Sequence, residues 1–192
     1  MTRKAALLFV AVTLMATGAV AAEGNTHIGF QGQFIAYGVQ REAGVNTDMQ
    51  VPSGGLVFFA EYGVLDYIAL GGQIEYGNIY TPGSNPEDPF NSAMRNFMGF
   101  SGSMRVGYPF LDKKNLDVYV RLNVGYGLYG LSQQDLMHGW VARAMPGVMY
   151  TTKSGFAVFA EIGWAGGGFI NESDNHVFYN GLAIDFGIGW KF

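Results

Sequence analysis

The feature that most constrains this chain is an alternation of period two, repeated from segment to segment. Successive side chains of a strand point to opposite faces, so the alternation defines two chemically distinct sheet faces. The last segment shows it best. Phe178, Asn180, Leu182, Ile184, Phe186, Ile188, Trp190 and Phe192 share one face, almost all large and apolar. Val177, Tyr179, Gly181, Ala183, Asp185, Gly187, Gly189 and Lys191 share the other, mostly small or charged. Upstream, Leu56, Phe58, Ala60 and Tyr62 oppose Gly55, Val57, Phe59 and Glu61, and Val118, Val120, Leu122, Val124 and Tyr126 oppose Asp117, Tyr119, Arg121, Asn123 and Gly125. The same split runs through 27–36, 68–76, 98–108 and 156–165. The segment 140–150 is the weakest, and Pro146, which has no N–H to donate, predicts a bulge there. The pattern predicts eight strands.

The links between these segments alternate in length. Long ones fall near 40–54, 78–94, 130–138 and 166–176, short ones near 63–66, 109–116 and 151–155. An even number of strands with such links describes an up-and-down meander, and short periplasmic turns with long outer loops are the habit of outer-membrane barrels. Eight strands enclose an interior only just filled by side chains. The bulky face would overfill it, whereas Gly, Ser, Ala and a few ionic groups fit. The large apolar residues are therefore expected to point outward into lipid. The expected fold is all-β: an eight-stranded antiparallel up-and-down transmembrane β-barrel. Segments of roughly 9–13 residues match the 9–11 that a tilted strand needs to span. Tyr62, Tyr67, Tyr108, Tyr150, Phe156, Trp190 and Phe192 fall at the short-turn ends, and Tyr76, Tyr126, Trp140, Trp164 and Phe178 at the long-link ends, as two interfacial girdles would.

Composition narrows the function. The 192 residues suit one domain, and 14% charge with 15% aromatics excludes a disordered chain. With no cysteine, disulfide scaffolds and thiol chemistry are excluded. The net charge of −4 gives no basic face for nucleic acid. Arg3 and Lys4, the apolar run Ala5 to Ala19 and the small residues Val20-Ala21-Ala22 read as a cleaved secretory signal peptide over 1–22, leaving 23–192 as the barrel domain. Losing Arg3 and Lys4 takes the 11 basic residues to nine against 15 acidic, so the mature chain is near −6. The expected location is the bacterial outer membrane.

Phe192 is terminal, Trp190 is third from the end, and Ile188 and Phe186 continue the alternation. This set resembles the β-signal read by the barrel-assembly machinery. Met104-Arg105-Val106-Gly107-Tyr108-Pro109-Phe110, a short turn, then Val118-Tyr119-Val120-Arg121-Leu122-Asn123-Val124-Gly125-Tyr126-Gly127 resembles the same region of small outer-membrane β-barrel proteins, the family of the OmpA transmembrane domain, OmpX and opacity-like proteins. The resemblance implies an eight-stranded barrel, with outer-membrane lipid, periplasmic chaperones and the assembly machinery as partners. The chain ends at this segment, so tethering of the kind OmpA performs is not expected.

The small face carries unlike charges. Glu61, Glu75, Glu161 and Asp185 are expected to meet Arg95, Arg105, Arg121 and Arg143 in the lumen. Similar depths on adjacent segments pair Glu75 with Arg95. Arg105 and Arg121 are expected side by side, with Glu61 and Asp185 as partners, and Arg143 within reach of Glu161. Such a set is either an ionic plug or an ion pathway. The long links are acidic, with Glu42, Asp48, Glu87, Asp88, Asp135, Glu172 and Asp174, and their spacing matches no calcium loop. His138, His176, Ser132 and Asp135 are the thin material for a hydrolase, and Gly139-Trp140 after His138 lacks the His-x-Ser spacing of a lipase-like barrel. No catalytic residue, metal site or cofactor is expected. The leading reading is a structural or surface-interaction scaffold with a charge-plugged lumen and four extracellular loops that could engage an extracellular ligand. The alternative is a narrow porin-like channel for ions or small solutes, and the third is a lipid-modifying outer-membrane hydrolase.

Overall fold

The computed structural model describes residues 24–42, 45–49, 53–65, 67–81, 93–109, 115–130, 136–171 and 176–192; at several strand ends beside the long links only the backbone is described. The expected signal peptide and most of the long links lie outside these residues.

Among the described residues there are nine strand segments: β1 (Thr26–Glu42), β2 (Val45–Met49), β3 (Ser53–Leu65), β4 (Ile68–Thr81), β5 (Ala93–Pro109), β6 (Leu116–Tyr129), β7 (Met137–Thr151), β8 (Phe156–Ile170) and β9 (His176–Lys191). β2 and β3 share one position in the barrel. Both pair with β1, the first beside Gly38–Glu42 and the second beside Thr26–Ile35. Eight staves result. Each is antiparallel to its neighbours, and β1 closes the cylinder against β9 from His27↔Lys191 to Glu42↔Val177.

Register fixes the shape. Following paired residues from His27 through Glu61, Gly71, Ser103, Asn123, Arg143, Ala165 and Gly181 leads back to β1 at Gly38, eleven residues along. One of those residues is taken up by the bulge between Ile35 and Tyr37, which leaves a stagger of ten. Closing eight strands with such a stagger requires a tilt of roughly 40°.

Three sequence expectations are corrected. The first long link, 40–54, contains β2 and strand backbone on both sides, and the fourth, 166–176, gives up 166–170 to β8. The staves run to 17 residues in β1 and β5, beyond the roughly 9–11 that lipid requires, so they continue past the membrane band at the long-link end. Pro146 makes no bulge. The β7–β8 register is the same before and after it, but no pairing joins Met145–Pro146 to Ile162–Gly163, because proline has no N–H for the ladder. The short turn at 152–155 is a tight hairpin: Gly155 adopts φ +85° and its N–H bonds Thr152 O at 3.0 Å.

The faces divide as the alternation requires. Leu122, Val124, Phe186, Ile188 and Trp190 are exposed on the outer surface, Phe186 at 59%. Arg121, Asn123 and Asp185, their immediate neighbours, are buried inside. The outer surface of a folded chain is thus covered with large apolar groups, which only lipid or detergent can solvate. Tyr67, Tyr108, Tyr150, Trp190 and Phe192 form one exposed rim, and Tyr76, Tyr126, Trp140, Trp164 and Phe178 the other. Gly168 serves the upper rim. A Cβ there would meet both Trp140 Nε1 and Phe178 Cε1 at 2.7 Å, so both rings lie across the bare backbone of β8.

Depth then sets the penalty for charge on this surface. Leu122→Arg, near the middle of β6, is expected to cost about 2–4 kcal/mol, and Tyr108→Arg at the rim about 0–1 kcal/mol. Reversible urea unfolding in lipid vesicles measures both.

Candidate functional site

The lumen is filled in layers. At the short-turn end, Phe59, Tyr119, Met149, Ala157 and Phe159 form a buried apolar cluster, with Phe59 and Phe159 edge to face at 5.4 Å. At the long-link end, Phe97, Tyr129, Met137, Val141, Phe169, Val177 and Tyr179 form a second. There the Tyr129, Phe169 and Tyr179 rings stack at 5.3 and 5.9 Å. Between the clusters lies the charged layer. The inner face is therefore less uniformly small and polar than the sequence suggests. Its large aromatics are concentrated toward the two ends and cap the ions.

Arg121 on β6 is the centre of the charged layer and is fully buried. Its Nε lies 2.9 Å from Glu61 Oε1 on β3, and its Nη1 2.7 Å from Glu161 Oε1 on β8. Nη1 also donates to Gln31 Oε1 at 2.9 Å. The guanidinium sits 4.5 Å from the Phe59 ring centre and 5.4 Å from that of Phe159, over the lower aromatic cluster. Glu61 takes further donors from Arg105 Nε at 2.9 Å and Ser103 Oγ at 2.8 Å. Glu161 accepts from the Tyr119 hydroxyl at 2.7 Å.

A second centre is Arg143 on β7. Its Nη2 donates to Asp185 Oδ2, and its Nη1 to Gln33 Oε1 at 2.7 Å. Glu75 Oε2 is 3.8 Å away. The two centres are joined by Gln31, whose Nε2 donates to Asp185 Oδ2 at 2.8 Å while its Oε1 accepts from Arg121. The network thus draws a side chain from every stave: Gln31 and Gln33 from β1, Glu61 from β3, Glu75 from β4, Ser103 and Arg105 from β5, Arg121 from β6, Arg143 from β7, Glu161 from β8 and Asp185 from β9.

The expected residues are brought together, but not in all the expected pairs. Arg105 and Arg121 are direct cross-strand neighbours and share Glu61. The ion pairs of Arg143 are with Asp185 and Glu75, while Glu161 is paired with Arg121. Asp185 belongs to Arg143 and not to Arg105 or Arg121. Glu75 lies opposite Gly99, and Arg95 lies opposite Ile79, four residues along. The Arg95 side chain lies outside the described residues. Gln31, Gln33, Ser103 and Tyr119 were not expected in the site. All four share the inward parity of the charges, which is the signal that could have found them.

The arrangement is a packed plug. A cavity of about 20 Å³ remains beside Gln33, Glu75 and Arg143, on the scale of one water. Among the described residues no group of three or more His, Asp or Glu side chains is placed to hold a metal. His138 and His176 lie outside the barrel at its upper rim, both paired to Ile170, with rings against Tyr126 and Phe178. Ser132, Asp135 and the other acidic link residues, Glu42, Asp48, Glu87, Asp88, Glu172 and Asp174, have side chains outside the described residues.

A closed eight-stave cylinder with bulky apolar groups outward and a charged axis inward decides the architecture. The chain has the fold of a small outer-membrane β-barrel. The Neisserial surface protein A (NspA) aligns with 88% of this chain and 100% of its own, with a TM-score of 0.58 and 12% identity. Ail, the attachment invasion locus protein of Yersinia pestis, aligns over 89% and 100% with a TM-score of 0.49 and 14% identity. OprG from Pseudomonas aeruginosa aligns over 89% and 96%, at 0.49 and 13%. No protein-family model matches the chain, and no curated protein matches it by sequence.

Breaking the plug on one side leaves a buried charge uncompensated. Arg121→Met is expected to destabilise the barrel by roughly 3–5 kcal/mol, because Glu61 and Glu161 both lose it. The double variant Arg121→Met, Glu161→Gln removes two charges together and leaves Glu61 paired with Arg105, and it is expected to recover most of that loss. Urea unfolding of the variants in vesicles provides the comparison.

Proposed function

We propose that this chain is an outer-membrane protein whose barrel is a rigid, sealed scaffold for the long links on its outer side. The observation that carries this reading is Arg121. It lies at the axis with no exposure, held at once by Glu61 on one wall and Glu161 on the other. Aromatic clusters lie on both sides of the charged layer. An ion crossing such a lumen would have to displace a fully buried arginine from two carboxylates at once.

The links 40–54, 78–94, 130–138 and 166–176 belong outside the cell, where a loop on a rigid scaffold is suited to engaging an extracellular ligand. The Phe186, Ile188, Trp190 and Phe192 side chains lie along the outer face of the closing stave β9, exposed to any factor that reads the strand during assembly. We assign to them recognition by the assembly machinery.

Two measurements test the proposal. The purified protein in planar lipid bilayers is expected to show no stepwise conductance; stable openings that change on Arg121→Ala would favour the channel instead. An epitope inserted after Gly83, in the second long link, is expected to bind antibody on intact cells. Binding only after the envelope is permeabilised would reverse the assigned orientation.

A further inference from the structure

The lipid-facing wall is not evenly covered. Two rows of outward side chains cross β5 to β9 along the hydrogen-bonding direction. One runs through Tyr108, Val118, Val148, Ala160 and Phe186, paired across each ladder in turn. The other includes Val106, Val120 and Pro146. Between them lies an apolar furrow of about 890 Å³, floored by backbone at Gly107 and Gly147. Five staves at about 4.8 Å spacing make it about 19 Å long.

Its slope follows from the tilt. Tyr108 lies one residue from the end of β5, at the short-turn rim, whereas Phe186 lies well inside β9. The furrow therefore climbs from the rim toward the middle of the barrel wall. The rings of Tyr67 and Tyr108 line its low end, and only carbon-rich side chains line its outer walls above them. Tyrosine at a membrane rim sits at headgroup level, with its hydroxyl among polar groups.

We propose that this furrow is a binding site for one acyl chain of a diacyl phospholipid of the periplasmic leaflet, with the headgroup beside Tyr67 and Tyr108. The site is continuous with the lipid-facing belt and rests on the outer-membrane reading above. One leaflet of hydrocarbon is about 15 Å deep, so an inclined furrow about 19 Å long accommodates a chain from ester to terminal methyl. A second copy of the barrel is a poor occupant, because two convex walls meet only along a line and would leave the furrow unfilled. Since lipid tails are as apolar as the wall, what holds the chain is van der Waals contact with a fixed surface.

Native mass spectrometry of the protein, released from detergent supplemented with phosphatidylethanolamine, tests the site. The wild type is expected to retain one phospholipid. Ala160→Trp, which fills the furrow, and Val120→Trp, on its opposite wall, are each expected to lower occupancy about tenfold. Ala60→Trp, a lipid-facing alanine on β3 across the barrel, is expected to leave it unchanged. Equal retention by all four proteins, or none by the wild type, would overturn the proposal, as would a dimer that Ala160→Trp dissolves. Insertion into vesicles, scored by the shift in gel mobility on boiling, is measured in parallel. Proteins that insert but show no selective lipid refute the site alone, whereas failure to insert refutes the membrane reading beneath it.

Discussion

A backbone N–H or C=O in hydrocarbon has no solvent to bond to, and the rest of this structure depends on that fact. An open sheet would present two unpaired edges to lipid, each unsatisfied group costing several kcal/mol. The chain avoids them by returning β9 to β1 over the length from His27↔Lys191 to Glu42↔Val177. Closure has consequences. It fixes the number of staves, the stagger and the tilt, and so decides which side chains meet across the axis. It also tolerates few defects. The missing pairings beside Pro146 lie on a wall where the neighbouring pairs Ala144↔Trp164 and Gly147↔Glu161 hold the register on both sides.

The lumen answers a related problem. Eight staves leave no room for bulk water, so charges placed inside must satisfy one another. Arg121 and Arg143 do this from adjacent staves, and Gln31 bridges Arg121 to the Asp185 partner of Arg143 with both ends of its amide. A buried ion network is weak evidence for stability, since desolvation offsets most of the attraction. Its contribution here is specificity. A slip of one residue in any ladder would turn a stave's charges into lipid and its apolar groups into the lumen. Because every stave gives a side chain to the network, no ladder can slip without breaking a contact elsewhere.

Much of this was legible in the chain, and the limits have a physical cause. Which way Leu122 and Arg121 point follows from parity alone, because strand side chains alternate strictly. Arg105 beside Arg121 follows from the shortness of the link at 109–116, which leaves little freedom in the register. The partners of Arg143 and Asp185 were not legible. They meet across the axis, and cross-axis distances depend on the accumulated stagger of all the ladders, to which the long links give no clue. The inward aromatics Phe59, Phe159 and Tyr179 were visible as residues, but their concentration toward the ends is set by the same stagger. The continuation of β1, β5 and β8 into the long links was missed because polar, glycine-rich stretches such as Gly166-Gly167-Gly168 carry no apolar alternation. Gly166-Gly167-Gly168 is strand because it pairs with β7 on one side and β9 on the other, with Trp140 and Phe178 against Gly168.

The central claim is that the bulky face meets lipid and the charged face meets the axis. The chain has no cysteine, so single cysteines can be introduced one at a time along β9 and spin-labelled. Accessibility to oxygen, which concentrates in hydrocarbon, is then read at positions 182 to 188 in vesicles. The account predicts maxima at Leu182, Ile184, Phe186 and Ile188, with minima at Ala183, Asp185 and Gly187. An alternation of the opposite phase, or none, would contradict it.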